Sequence, residues 1–161
     1  MNQCSMTPEL GRALGRLVYG LYFLTTATPA EPQGLLVSWV SQVSGEPPLL
    51  LAAVRENRSI LPALIERRAF CLNLLPEANR ELIGQLARPA GRRFAGVDLN
   101  SGPLGLPLIA AGLGGIACTL LEASQPGDHV LCLGRVEEAV ALAAGVNQGA
   151  AATGHPYLGL S

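Results

Sequence analysis

The chain contains no lysine; all eleven of its cationic side chains are arginine. Arginine is the better bidentate partner for phosphate, so the absence leaves anion recognition possible and narrows which groups can supply it. Charge of either sign is scarce, with 14% of 161 residues charged and a formal net charge of -1. Such a balance lacks the electrostatic footprint of a nucleic-acid binder. The four cysteines, at positions 4, 71, 118 and 132, include no pair at the close spacing of a zinc knuckle or a redox dithiol, so no metal site is expected. Cys71, Cys118 and Cys132 lie inside apolar runs, where cysteine behaves as a small core hydrophobe.

No uninterrupted spanning or targeting segment is expected either. Arg12 and Arg16 before the apolar Leu17–Leu24 mimic a signal peptide, but Glu9 and the Thr25-Thr26 pair do not suit one. Gly102 to Leu121 lacks charge yet carries Pro103, Pro107 and five glycines, which fit turns and strands better than a membrane helix. A cytoplasmic protein with no membrane partner is expected. No internal repeat or linker is evident, and a single domain over residues 1–161 is expected, with its core at about 10–140. The 49% apolar content allows a generous core, and a thinly charged surface is one that continues into an oligomer interface.

Thr7-Pro8-Glu9 has the form of a helix start, and Leu10, Leu14 and Leu17 recur at helical spacing. A strand is predicted over Leu21–Ala27, then a loop from Thr28 to Gly34. Gly34 to Val54 reads as two strands joined by a turn at Ser44–Pro48. Within the first of these, Ser38 shares a parity with Gln42 and Ser44, while Ser41 lies on the other. Side chains of a plain strand alternate between faces, so hydroxyls on both parities point to a bulge, a sheet switch or a bound polar ligand, as an alternative to simple fraying.

The loop Arg55–Ser59 leads into a helix predicted over Ile60–Arg68, with Pro62 in its first turn. Arginine and serine beside helix N–H groups make an anion site; the other reading is that Asn57 or Ser59 caps the helix and the arginines are solvated. Ala69–Leu75 is a strand in which Asn73 needs hydrogen-bond partners if buried. A helix over Glu77–Arg88 follows, then a polar loop with Arg92, Arg93 and Phe94, whose arginines either meet an anion or face solvent. Gly114–Glu122 and His129–Val140 form an antiparallel pair across a Pro-Gly-Asp turn. His129 opens the second of these, placed for a cleft or for a structural role. Gly112-Leu113-Gly114-Gly115 lacks the βαβ context of a dinucleotide fingerprint. About six or seven strands, with two or three short helices and no βαβ alternation, indicate a mainly β protein, a barrel decorated by helices.

Seven stretches, LGRLVYGLYFLTT, GLLVSWVSQVSGEPPLLLAAV, ENRSI, FCLNLL, RRFAGV, GPLGLPLI and PGDHVLCLGRV, occur in an order that resembles the flavin reductase-like, FMN-binding split-barrel family. The likeness is to its flavoredoxin-type members and to the reductase module of flavodiiron proteins. It implies a Greek-key split β-barrel, a homodimer, and a non-covalent FMN (or FAD) near the subunit interface, with NADH or NADPH as co-substrate. By that resemblance Ser38, Trp39, Val40 and Ser41 line the flavin ring and upper ribityl chain, and Asn57, Arg58 and Ser59 lie at the phosphate. Phe70 and Asn73 border the site, and Phe94 and His129 stand close to flavin or nicotinamide. The phosphate-side lysine common in the family has no counterpart, so its role passes to Arg55 or Arg58, and Arg135 stands where an acid is common. The implied activity is an NAD(P)H:flavin oxidoreductase that passes electrons to free flavin or a partner protein. An FMN-binding electron-transfer protein without a nicotinamide site, or a flavin-free binding module, are the alternatives.

Overall fold

The computed structural model describes residues 6–149. Cys4 and the segment His155-Pro156-Tyr157, expected to dock or fray, lie outside the described residues. Three helices, α1 Pro8–Leu14, α2 Ile60–Arg67 and α3 Arg80–Leu86, accompany nine strands. These are β1 Tyr22–Ala27, β2 Pro32–Val37, β3 Val40–Gly45, β4 Pro48–Arg55, β5 Ala69–Leu74, β6 Leu99–Ser101, β7 Pro107–Ile109, β8 Gly114–Ser124 and β9 His129–Ala141. Seven of them form one antiparallel sheet in the order β2-β1-β5-β8-β9-β4-β3, and β6 pairs with β7.

The two edge strands of that sheet, β2 and β3, are consecutive in the chain. Residues 32–45 therefore pair with β1 on one side and, past Trp39, with β4 on the other, which closes the sheet into the expected mainly β split barrel. The single strand expected across Gly34–Val43 is thus two. The Val40 N–H donates to the Ser38 carbonyl at 3.0 Å, a three-residue turn with Trp39 at its apex, and the Ala53 N–H bonds the Trp39 carbonyl at 2.9 Å.

The turn also resolves the hydroxyl pattern. Leu35 and Val37 before it and Val40 after it all pack into the barrel interior, so the inward parity changes at Trp39. Alternation on either side then puts Ser38 and Ser41 on the same outer face. A bulge lies close by, where the register slips between Gln42 and Ser44 and leaves the exposed Val43 unpaired.

Leu24, Leu50, Val54, Phe70, Leu72, Leu120 and Val130 fill the interior, and α2 plugs it with Ile60, Leu61 and Leu64. Outside, Leu82, Ile83 and Leu86 of α3 cover Leu21, Phe23 and Leu75. Leu106 and Leu108 cover Ala69, Cys71 and Ala117. Cys71, Cys118 and Cys132 are buried free thiols, as expected of core residues, and burial pushes Cys71 and Cys118 up to about 12 and Cys132 to about 11.

Several boundaries differ for local reasons. The first helix stops at Gly15, before Leu17. The last begins at Arg80, because the Asn79 side chain accepts from the Leu82 N–H, while the Glu77 N–H bonds Val146. β2 starts at Pro32 inside the expected loop; at the outer edge of the sheet its missing N–H removes no ladder bond. The β6–β7 hairpin, at three residues a strand, carries too little periodicity to be read from sequence. Among the described residues no helix is long and apolar enough to cross a membrane, and no group of three or more His, Cys, Asp or Glu is placed to hold a metal.

Candidate functional site

At the Pro32 end of β2, Gly34 allows two rings to close on the backbone. A Cβ there would stand 2.4 Å from the Phe23 ring and 2.8 Å from the Phe94 ring, so only glycine fits. Phe23 and Phe94 meet edge to face at 5.7 Å. The Gly34 carbonyl accepts from the Arg93 guanidinium, whose Nε donates to the Arg88 carbonyl at 3.2 Å. Burial holds the Arg93 pKa below its ordinary value, and the positive charge of Arg58 lowers it further. Neither arginine is in an ion pair with a carboxylate among the described residues. A charge so disfavoured is one that a nearby anion would relieve.

Arg58 reaches this place from the turn after β4, which its N–H closes by bonding the Arg55 carbonyl at 3.0 Å. Asn57 and Ser59 flank it on the surface. Ser59 precedes α2 but makes no side-chain cap, so its hydroxyl is not engaged by the helix. Arg93 also lines a cleft of about 290 Å³, with Glu31, Gln33 and Gly34 on one side and Gly91 and Phe94 on the other.

At the far end of the same run, the Trp39 ring lies 4.5 Å from that of His129, tilted by 35°, with Tyr19 at 6.3 Å. His129 Nδ1 is 2.7 Å from Asp128 Oδ1, and the Arg55 guanidinium donates to Asp128 Oδ2 at 3.4 Å. The hydrogen bond from His129 holds the Asp128 carboxyl below its ordinary pKa, with the charges of His129 and Arg55 helping. An ionised carboxylate only accepts, so Nδ1 carries the proton and Nε2 is left for another partner. The Glu56 N–H bonds the Asp128 carbonyl at 3.0 Å, and Gln125 bonds the Glu56 carboxylate. The tip of the β8–β9 hairpin thereby fixes the turn that carries Arg58.

Three positions differ from expectation. Phe70 is fully buried in the barrel interior, and Asn73 is fully buried in the wall. The Asn73 amide donates to the Phe23 carbonyl and the Thr25 hydroxyl, and its oxygen accepts from the Ile109 N–H. Both residues build the barrel and offer no surface to a ligand. Of the two arginines expected at the phosphate, Arg55 pairs with Asp128 at 3.4 Å, and Arg58 is exposed and outside any ion pair among the described residues. The signal for Arg93 was its position next to Phe94, in a loop that no local pattern tied to β2. Val40 turns its side chain into the barrel and leaves only its backbone for the outer face. Ser41 is exposed, its hydroxyl donating to the Gln42 carbonyl, and Ser38 is half-buried. Arg135, at the position where the family it resembles commonly has an acid, pairs with Glu137 at 2.9 Å.

The site therefore joins Arg93, bonded to the Gly34 carbonyl, and an aromatic rim at Trp39 through one backbone run with outward hydroxyls. Among the described residues, none of its serine hydroxyls is hydrogen-bonded to a histidine or a carboxylate. Residues 14–154 match the model of the flavin reductase like domain. The chain is 32% identical over 128 residues to the stachydrine N-demethylase reductase subunit Stc3 of Rhizobium meliloti, covering 79% of this chain and 56% of that protein. It is 31% identical over 127 residues to an FMN reductase (NADH), RutF 2, of Methylorubrum extorquens, covering 78% and 74%. The NADH:FAD oxidoreductase SgcE6 of Streptomyces globisporus, solved with NAD and FAD fragments, superposes with a TM-score of 0.75 at 27% identity, covering 83% and 81%. The chain thus spans little more than half the length of the demethylase subunit.

Proposed function

The chain belongs to the flavin reductase like domain family, and on that premise we propose that it binds a flavin non-covalently along residues 34–41 and reduces it with NADH or NADPH. The observation that carries this reading is the couple of Arg93, seated at the Gly34 carbonyl, and Arg58, whose charge acts on it, neither of them ion-paired among the described residues. A flavin phosphate carries about two negative charges and matches that couple by charge-assisted hydrogen bonds. Asn57 and the free hydroxyl of Ser59 add polar contacts on the same side. Ser38, Ser41 and the backbone of the turn at Trp39 border the ring, where small side chains permit close approach. Trp39 and His129 supply a flat rim that orients the nicotinamide and limits water, and Phe94 closes the side near Gly34. A bound flavin would supply the hydride acceptance that no side chain here can perform.

The electrons then pass to free flavin or to a partner protein; the relative named as a demethylase reductase subunit supports the latter. One sheet takes strands from Tyr22 to Ala141, which supports reading the chain as a single flavin reductase-like unit. A homodimer belongs to the reading as well, since Val18 is 96% exposed, Val146 70% and Leu17 55%. So does a cytoplasmic setting, where the three buried cysteines stay reduced.

The test is the visible spectrum of the purified protein, alone and with added FMN or FAD, followed by anaerobic mixing with NADH and NADPH. Flavin uptake and rapid bleaching by one nicotinamide nucleotide are expected. Failure to take up either flavin overturns the proposal; uptake without bleaching leaves an electron-transfer protein.

A further inference from the structure

The loop that carries Arg93 and Phe94 is held by a side chain from outside the site. Ala90–Arg92 form a 3-10 turn, and Arg93 continues it with helical dihedrals, φ -68° and ψ -29°. The Ala95 N–H bonds the Arg92 carbonyl at 3.2 Å, and Gly96, at φ 75°, turns the chain out of the helical region. So short a helical end leaves carbonyls with too few N–H partners. Gln85 of α3 supplies them. Its Nε2 donates to the Arg92 carbonyl at 2.9 Å and to the Ala95 carbonyl at 2.8 Å, with the Arg93 carbonyl at 3.4 Å. Acceptors on three sides identify that atom as the amide nitrogen, and its two N–H groups are both committed to the loop.

The base of this latch is fixed. Leu82, Ile83 and Leu86 seat α3 on Leu21, Phe23 and Leu75, so Gln85 relays the position of β1 to the loop. On the far side of the loop, Arg93 donates to the Gly34 carbonyl of β2 and, through Nε, to the Arg88 carbonyl at 3.2 Å. Phe94 meets the Phe23 ring edge to face. Both side chains reach β2 only while their backbone stays where the Gln85 amide puts it. A shift of about 1 Å in a binding group is enough to cost much of its effect.

We propose that Gln85 is a positioning residue for the flavin site: its amide sets residues 92–95 so that Arg93 and Phe94 face the flavin along residues 34–41. The proposal rests on the flavin reading given above. The bonds to the Arg92 and Ala95 carbonyls are exposed, so water takes over those carbonyls when the amide is removed. The loop then loosens while the barrel stays folded.

The test compares the wild type with Gln85→Met, which keeps the length of the side chain and has no donor. Three quantities are read: trypsin cutting of the flavin-free chain after Arg92 and Arg93, the Kd for whichever of FMN and FAD the wild type takes up, and the urea midpoint. The chain has no lysine, so every tryptic cut follows an arginine, and fragment masses identify those in the loop. Cutting of a locally opened segment tracks its opening equilibrium, and loss of the amide is expected to speed it roughly tenfold or more. The flavin Kd is expected to rise about tenfold, with the urea midpoint unchanged. Faster cutting at an unchanged Kd overturns the proposal and leaves Gln85 a brace for the loop alone. Unchanged cutting overturns it too, as does a midpoint that falls in step with the affinity, because the whole barrel then carries the effect. A wild type that takes up neither flavin sinks the flavin reading and the positioning role together, while the cutting rates still show whether Gln85 holds the loop.

Discussion

Asn73 shows how much one amide can organise when it is buried in an apolar strand. Its three hydrogen bonds tie β5 to β1 and to the Ile109 N–H of the short outer hairpin. Asn73→Ala strips partners from two buried backbone groups, each worth roughly 1–3 kcal/mol, so a loss of about 2–4 kcal/mol is expected. Urea unfolding checks this as a lower midpoint at unchanged slope. A loss below about 0.5 kcal/mol would mean that water replaces the amide, and would reopen Asn73 as a ligand residue. Arg58 is the contrasting case, exposed and without an ion pair among the described residues. Arg58→Ala should leave stability unchanged and weaken flavin binding by about 1.5–3 kcal/mol, read by titration of the apoprotein. The sequence showed that Asn73 needs partners but could not say whether protein or ligand supplies them, because all three lie in other elements.

The element that decides the site is the run through β2 and β3. Its two hydroxyls look misplaced in sequence because parity counts assume one uninterrupted strand. A single three-residue turn at Trp39 reverses that parity, and both hydroxyls come out on one face. The strands opposite also carry close constraints. A Cβ at Gly134 of β9 would lie 2.6 Å from the Phe70 ring and 2.8 Å from the Cys118 Cβ, inside the barrel. Gly134→Ala is expected to cost about 1–3 kcal/mol by overpacking. Adding Phe70→Leu should recover part of that loss, and a double-mutant cycle on thermal or urea stability measures the coupling. Simple additivity of the two changes would remove Phe70 from that contact.

For the whole molecule, the open question is what covers its exposed valines. Leu17 and Val18 lie just before β1, and Val146 lies in the segment whose neighbour Gln148 accepts from the Leu21 N–H. Sedimentation equilibrium should give about twice 16.7 kDa, and Val18→Asp should shift the mass towards one copy without lowering the unfolding midpoint of that copy. A wild-type monomer at micromolar concentration would remove the dimer from the reading.

Local chemistry in the sequence determined the mainly β class, the helix starts at Pro8 and Ile60, the long β8–β9 hairpin and the buried cysteines, since each depends on periodicity, caps or turns within a few residues. The seven ordered stretches carried the family. Only the tertiary structure decided that Arg93 reaches the Gly34 carbonyl, that Arg55 is held by Asp128, that Phe70 and Asn73 belong to the barrel, and that a cleft opens at Glu31. Those outcomes depend on which distant segments the closing sheet brings side by side, and side-chain periodicity along one strand carries no information about its neighbours.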